Sequence, residues 1–199
     1  MYKLYSLNTD DISLDTAFDI SSVRRSKMES YQFEKDKKLS LGASILLDQM
    51  LKKHDLREKD MIYGFTQYGK PYLKGYEKIH FNLSHSEKMC ILVESDKEVG
   101  CDIERIQKDD VDIVNRCFSE EEKRNLEKSS DKDRLFTQIW TAKEAFLKCI
   151  GTGLSEKMKD ITITHNENIR VKQSVNQKLY SFHSAKIEDY VLTICEEES

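Results

Sequence analysis

No apolar run in these 199 residues approaches the ~18 consecutive positions that a membrane-spanning helix needs. The opening, MYKLYSLNTDD, lacks the long apolar core of a secretory signal. A cytoplasmic location with no membrane partner is the resulting expectation. Cysteine is sparse and unpatterned: five residues, at 90, 101, 117, 149 and 195, an odd number with no CxxC spacing. That argues against a disulfide framework or a zinc ribbon and leaves reduced, mostly buried thiols. The five histidines show no HExxH spacing, so no zincin helix is present. An excess of basic residues is missing as well. Lys and Arg number 32 against 36 Asp and Glu, for a formal net charge of −4, so the broad basic surface that binds a nucleic-acid backbone is not expected. No low-complexity linker divides the chain, and its single proline lies in the segment QYGKPYL.

What is there is a soluble globular composition, 38% hydrophobic and 34% charged, in a chain long enough for one large domain or two small lobes. Residues 2–7 read as a short strand and residues 11–33 as helix and loop. From Asp36, a candidate N-cap, the residues Leu39, Ala43, Leu46 and Met50 recur at helical spacing, with Leu47 and Leu51 widening the stripe. Gly69-Lys70-Pro71 marks a turn. Three β-like runs follow, IHFNLS (79–84), MCILVES (89–95) and VGCDIE (99–104), joined by links short enough for antiparallel hairpins. Ser119 with Glu122 fits a capping box opening a helix over 118–126. A stronger helix spans about 131–149, with Leu135, Ile139, Ala142, Phe146 and Cys149 in one stripe, ended by Gly151 and Gly153. The tail alternates as strands: ITITH, IRVK, LYSFHSAKI and YVLTIC. Helices and antiparallel strands in blocks predict an α+β fold. Two similarly built halves meeting near residue 100 would account for the order of elements.

Three constellations carry chemistry. In Asp102-Ile103-Glu104, strand alternation places both carboxylates on one face while Val99 and Ile103 can turn to a core. Two carboxylates a dipeptide apart repel unless a cation lies between them. Magnesium suits such oxygen donors and completes its octahedron with water and phosphates. A solvated edge with Arg105 as counter-ion is the alternative. In Trp140-Thr141-Ala142-Lys143-Glu144-Ala145-Phe146-Leu147-Lys148, the residues Trp140, Glu144 and Lys148 share a helix face. They make either an ordinary i,i+4 ion pair or a third metal ligand beside a phosphate contact. In Asn82-Leu83-Ser84-His85-Ser86, Ser84 and His85 either shape a polar turn or bind a phosphate, to which Lys70 in the Gly-Lys-Pro turn could add a positive contact. An acidic pair with a lysine also builds nuclease sites, but the lysine here does not follow as ExK and the net charge is wrong for DNA. A binding module without activity would be free to lose the acidic residues, yet all three are present.

The order GKP, FNLSHS, VGCDIE, FSEEE, WTAKEAFLK resembles the 4′-phosphopantetheinyl transferases, specifically the two-lobed type that activates nonribosomal peptide and polyketide synthases. The likeness runs from about residue 20 to 155 and fades in the C-terminal strands. The smaller holo-acyl-carrier-protein synthases have about half this length and trimerise, so the resemblance implies a monomeric pseudo-dimer. Residues 1–100 would form a lobe contacting the nucleotide of coenzyme A, and 101–199 a lobe carrying the metal ligands. The implied activity moves the 4′-phosphopantetheine of coenzyme A to a serine of an apo acyl or peptidyl carrier protein, releasing 3′,5′-ADP. Residue by residue, the resemblance makes Asp102, Glu104 and Glu144 ligands of Mg2+ (or Mn2+) and Lys148 the contact to the reacting phosphates. Ser84, His85 and Lys70 fall at the 3′-phosphate end of coenzyme A, and Arg24, Lys27 and Ser40 near other nucleotide contacts. Glu122 falls where a proposed general base lies, with the capping box as its other duty. Residues 105–125 would dock the carrier.

Overall fold

In a computed structural model, residues 1–153, 156–165 and 169–198 are described. The chain opens with β1 (Lys3–Asn8), two 3-10 turns and α1 (Ser22–Glu29), then α2 (Glu34–Leu51). After further 3-10 turns come β2 (Tyr63–Phe65), β3 (Pro71–Leu73), β4 (His80–Ser86), β5 (Met89–Ser95) and β6 (Val99–Arg105). The remainder is α3 (Val111–Cys117), α4 (Glu120–Lys128), α5 (Lys132–Ile150), β7 (Thr162–His165), β8 (Ile169–Lys172), β9 (Tyr180–Ile187) and β10 (Tyr190–Glu197).

Two antiparallel sheets organise these elements, ordered β1-β5-β4 and β6-β10-β9. Each sheet is drawn from the same succession: a strand, helices ending in one long helix, a two-stranded ribbon (β2–β3 or β7–β8), then a hairpin whose last strand takes the centre. The α+β class and the two similar halves thus hold, as a repeat of topology without a repeat of sequence. Leu46, Leu47, Met50 and Leu51 of α2, all 0% exposed, join Leu73, Phe81 and Leu92 in a core between α2 and the first sheet. Ala142, Phe146 and Cys149 of α5 meet Ile163, Tyr180 and Cys195 in a second. A third lies between the sheets, where Ile91 and Val93 face Val99, Cys101, Ile103, Leu192 and Ile194. Each large side chain so buried contributes roughly 1.5–3 kcal/mol.

Local details depart from the sequence reading in two places. The hairpin between β4 and β5 forms as expected, but β5 and β6 do not pair. The link after Ser95 carries the chain into the other sheet, where β6 pairs β10 with Asp102 opposite Thr193 and Glu104 opposite Val191. The physical reason is burial: facing β5, Val99, Cys101 and Ile103 pack with Ile91 and Val93 and with Leu192 and Ile194 of β10. The helix cap also differs. Phe33 is the N-cap of α2 and makes no side-chain cap bond, while Asp36 lies within the first turn, where its charge suits the helix dipole. The helix α5 does end as read: Gly151 takes the left-handed conformation at φ 70° and its N–H bonds Leu147 O.

The two sheets are also joined at β4 and β6 by side chains. Asn82 Oδ1 accepts Cys101 N–H at 2.9 Å, Ser84 Oγ accepts Ile103 N–H at 3.3 Å, and Ser86 Oγ accepts Arg105 N–H at 3.2 Å. This polar seam runs directly along the strand that carries Asp102 and Glu104.

Candidate active site

Alternation on β6 sends Val99, Cys101 and Ile103 into the core between the sheets and leaves Gly100, Asp102 and Glu104 facing α5. A β-carbon at Gly100 would overlap the Ala145 carbonyl oxygen and the Cys149 nitrogen, so glycine lets the strand press against the helix backbone. That contact brings Glu144 and Lys148, one turn apart on α5, over the strand carboxylates. Lys148 Nζ donates to Asp102 Oδ1 at 2.7 Å and to Ser84 Oγ at 3.2 Å. Ser84 Oγ donates to the same Asp102 oxygen at 2.7 Å, and Ser86 Oγ donates to Glu104 Oε2 at 2.7 Å.

The electrostatics follow from burying three carboxylates with one ammonium. Burial pushes Asp102 above the usual carboxylate range, against the pull of Lys148 and the Ser84 bond. Burial also raises Glu104, with the charge of Asp102 adding to it against the Ser86 bond. Glu144 is pushed up to about 7, first by burial and then by the negative charges of Asp102 and Glu104. Desolvation pulls Lys148 down, but the charge of Asp102 and its hydrogen bond, with Glu144, outweigh that and leave it raised. Asp102 Oδ2 is buried with no hydrogen-bond partner.

This donor set is all oxygen, net negative and incompletely satisfied, which fits a hard divalent cation. Among the described residues, however, no group of three or more His, Cys, Asp or Glu side chains stands close enough together to hold a metal ion. The three carboxylates interact through their charges without forming a preassembled three-ligand site, so a cation there would draw much of its shell from water and phosphate oxygens.

A cavity of about 250 Å3 lies within electrostatic reach of this cluster, since His85 in its lining feels the charges of Lys148 and Asp102. Arg24 and Lys27 from α1, Ser40 from α2 and His85 from β4 line it, so four of the sequence-predicted nucleotide contacts stand together. Ser40 Oγ is buried and unpartnered. Desolvation, then the repulsion of Arg24, lowers Lys27. His85 is held below the ordinary imidazole value by desolvation and by the charges of Lys148 and Lys27. Cationic, with a free hydroxyl and a neutral imidazole, the cavity suits a phosphate monoester. The adjacent residues Ser84 and His85 connect it to the carboxylates.

Two predicted site residues stand elsewhere. Lys70 Nζ is clasped by Glu98 Oε2 at 2.8 Å, Val99 O at 3.1 Å and Cys149 O at 3.1 Å, tying the Gly-Lys-Pro turn to the second lobe. Its ammonium belongs to a different cavity, lined also by Tyr68, Glu98 and Thr152. Glu122 is 0% exposed. One oxygen accepts Ile163 N–H at 2.7 Å, the other accepts Ser119 N–H at 2.7 Å and pairs Lys143 Nζ at 2.8 Å. The capping-box duty holds, and every bond of Glu122 is internal, so it offers a substrate proton no approach. Lys143 itself, 0% exposed, donates to the carbonyls of Cys117, Met158 and Ile161. Sequence reasoning missed that a lysine inside an amphipathic stripe was buried. It also missed Ser86, although the alternation of Asn82, Ser84 and Ser86 was available, and Tyr31 and Asp36, which line the basic cavity.

Comparison with known proteins bears on both halves of the chain. The model described as 4′-phosphopantetheinyl transferase, N-terminal, matches residues 11–97. That of the 4′-phosphopantetheinyl transferase superfamily matches residues 98–195. A 4′-phosphopantetheinyl transferase of Bacillus subtilis is 30% identical over 147 residues, covering 72% of this chain and 66% of that relative. The 4′-phosphopantetheinyl transferase gsp of Aneurinibacillus migulanus is 28% identical over 159 residues, covering 78% of this chain and 66% of its own length. The matched stretch therefore spans about two thirds of each relative's length. A solved structure, the holo-[acyl-carrier-protein] synthase of Thermotoga maritima, overlaps 51% of this chain and 63% of its own with a TM-score of 0.46 at 18% identity. With one transferase model ending at residue 97 and the next beginning at residue 98, the chain belongs to the 4′-phosphopantetheinyl transferase superfamily.

Proposed function

We propose that this chain transfers the 4′-phosphopantetheine of coenzyme A to a serine hydroxyl of an apo acyl or peptidyl carrier protein, releasing 3′,5′-ADP. The observation that carries this reading is the continuity of two sites through Ser84 and His85. A cationic cavity of about 250 Å3 includes His85, which feels the charges of Lys148 and Asp102 in the neighbouring cluster of carboxylates with one fixed ammonium. A ligand with a phosphate at one end and a diphosphate nearby matches both.

In this reading Arg24, Lys27, Ser40 and His85 seat the 3′-phosphate and orient the nucleotide. Lys148, locked by Asp102 and Ser84, holds its charge beside the diphosphate, where negative charge grows as the bond to the departing 3′,5′-ADP breaks. The carrier serine oxygen forms the new bond to phosphorus and its proton is lost to water. Asp102, Glu104 and Glu144 would hold magnesium, or manganese, which has the same taste for oxygen donors. When bound, that cation neutralises diphosphate charge. Glu144, raised first by burial and then by the charges of Asp102 and Glu104, has much to gain from a counter-charge.

The repeated topology supports a working unit of one chain with two lobes meeting near residue 100, the second beginning with β6. The docking region for the carrier falls on residues 105–125, which leave the metal-side strand and include α3. A cytoplasmic monomer is the expected form. No helix of the described residues is long and apolar enough to cross a membrane.

The test is to incubate the chain with magnesium, coenzyme A and a panel of apo carriers from fatty-acid, polyketide and nonribosomal peptide systems, and to weigh each carrier. A mass gain of one phosphopantetheine on the active serine is expected. Binding of coenzyme A with no gain on any carrier would refute the assignment.

A further inference from the structure

The N-terminal lobe holds a carboxylate that the reaction does not use. Glu58 sits in a 3-10 turn (Glu58–Asp60) between α2 and β2 and is 0% exposed. A buried carboxylate survives only when its oxygens are fully bonded, and these are. Glu58 Oε2 accepts Ser21 N–H at 2.7 Å, while Oε1 accepts the hydroxyls of Ser21 and Tyr63, each at 2.7 Å. The turn itself is pinned from behind: Asp48 Oδ1 on α2 accepts Glu58 N–H at 3.1 Å and Arg57 Nε–H at 3.0 Å.

Both groups held by Glu58 lead to the same cation. Ser21 is the N-cap of α1, its hydroxyl accepting Arg24 N–H at 3.4 Å. Tyr63 presents its ring to the Arg24 guanidinium, 5.5 Å from the centroid. Arg24 lines the basic cavity from α1, as does Lys27 one turn on. A half-buried arginine on a two-turn helix would otherwise sample several rotamers, and fixing it in advance lowers the entropy lost when a phosphate binds. Burial and the Glu58 carboxylate keep the Tyr63 hydroxyl far above the ordinary phenol value, so it remains a donor throughout the working range.

We infer that Glu58 is the positioning residue of the phosphate cavity, fixing the start of α1 and the Tyr63 ring so that Arg24 is preset for the 3′-phosphate of coenzyme A. The inference rests on the proposed function, in which that cavity receives the 3′-phosphate. It acts through Ser21 and Tyr63 and touches no substrate.

The experiment compares binding of coenzyme A and dephospho-coenzyme A to the full chain by calorimetry, for the unaltered protein, Glu58→Gln and Tyr63→Phe. Glutamine supplies one acceptor oxygen where the carboxylate supplies two, and phenylalanine keeps the ring but deletes the hydroxyl. The unaltered chain is expected to bind coenzyme A at least tenfold more tightly than the dephospho form. Glu58→Gln should cut that preference about fivefold or more, Tyr63→Phe by a smaller factor, with dephospho-coenzyme A binding changed less than twofold and kcat at saturating coenzyme A unchanged. Should Glu58→Gln not fold, Tyr63→Phe and Ser21→Ala carry the test. An undiminished preference in folded variants, or equal weakening of both ligands, overturns the positioning role alone. No preference in the unaltered protein overturns the cavity assignment, and the inference with it.

Discussion

Replacing Glu122 by glutamine keeps the side chain's length and shape while removing its charge, and the consequence for Lys143 can be worked through. Glutamine offers one acceptor oxygen to two backbone donors, Ser119 N–H and Ile163 N–H. Lys143, wholly enclosed, is left facing three carbonyls with no counter-charge. Removing one member of a buried pair costs about 3–5 kcal/mol. Desolvation already lowers the Lys143 ammonium below its ordinary 10.5, so the escape is loss of the proton. At about 1.36 kcal/mol per pH unit, that route costs about 4 kcal/mol near pH 7.5 and about 1.4 kcal/mol near pH 9.5. The unfolded variant then binds one proton more than the folded one, so its stability rises with pH. Urea denaturation at the two pH values, against the unaltered chain, should show the deficit shrinking by roughly 2.7 kcal/mol. Transfer per folded molecule should stay within a few-fold of the parent. A variant with parental stability and transfer lowered ~10²–10⁴-fold would make Glu122 the proton acceptor and refute this reasoning.

Glu144→Gln removes the carboxylate most strongly opposed by Asp102 and Glu104; it should fold with an unchanged or higher Tm while transfer falls roughly a hundredfold or more, and retained transfer would sink its place in the cation site. Gly100→Ala forces β6 away from the α5 backbone; a loss at or above the upper end of ~1–3 kcal/mol is expected, with transfer impaired beyond the loss of folded protein because α5 carries Glu144 and Lys148. An unaffected Tm would show that strand and helix are not in that contact. His85 lies below its ordinary 6.5 in the free protein, and an adjacent phosphate raises it. Coenzyme A binding should therefore take up a proton near pH 6.5, and affinity should fall as pH rises through the pKa of the complex. Calorimetry in buffers of different ionisation enthalpy reads this directly, and proton uptake undiminished in His85→Ala would assign it to another group.

The sequence was most informative where one period governed a long segment. The stripes of α2 and α5 and the alternation in β6 depend on neighbours in the chain, and both Asp102–Glu104 and Glu144–Lys148 emerged on the faces their spacing required. Pairing between distant strands was another matter. Nothing local distinguishes a β5–β6 hairpin from a strand that crosses to another sheet, because the difference lies in what Val99, Cys101 and Ile103 meet once Leu192 and Ile194 arrive from the far end of the chain. Charged residues were hard to read for a related reason. Lys143 and Glu122 look like surface charges until folding encloses them together, and Lys70 looks like a free phosphate contact until Val99 and Cys149 present their carbonyls. Glu58 gave no signal at all, since its two side-chain partners, Ser21 and Tyr63, come from α1's cap and from β2.

The seam between β4 and β6 has a bearing on how the border between the two sheets is kept satisfied. A strand at the rim of a sheet ordinarily displays unpaired N–H groups that can template another chain, and aggregation by strand addition begins at such rims. On β6 the outward donors of Cys101, Ile103 and Arg105 are already consumed by Asn82, Ser84 and Ser86. Short polar side chains thereby blunt a vulnerable border without closing it with backbone. The same hydroxyl that silences one of those donors, Ser84, also bonds Asp102 and Lys148, so a substitution there would leave the buried Ile103 N–H unsatisfied and disturb the charged cluster at a single stroke.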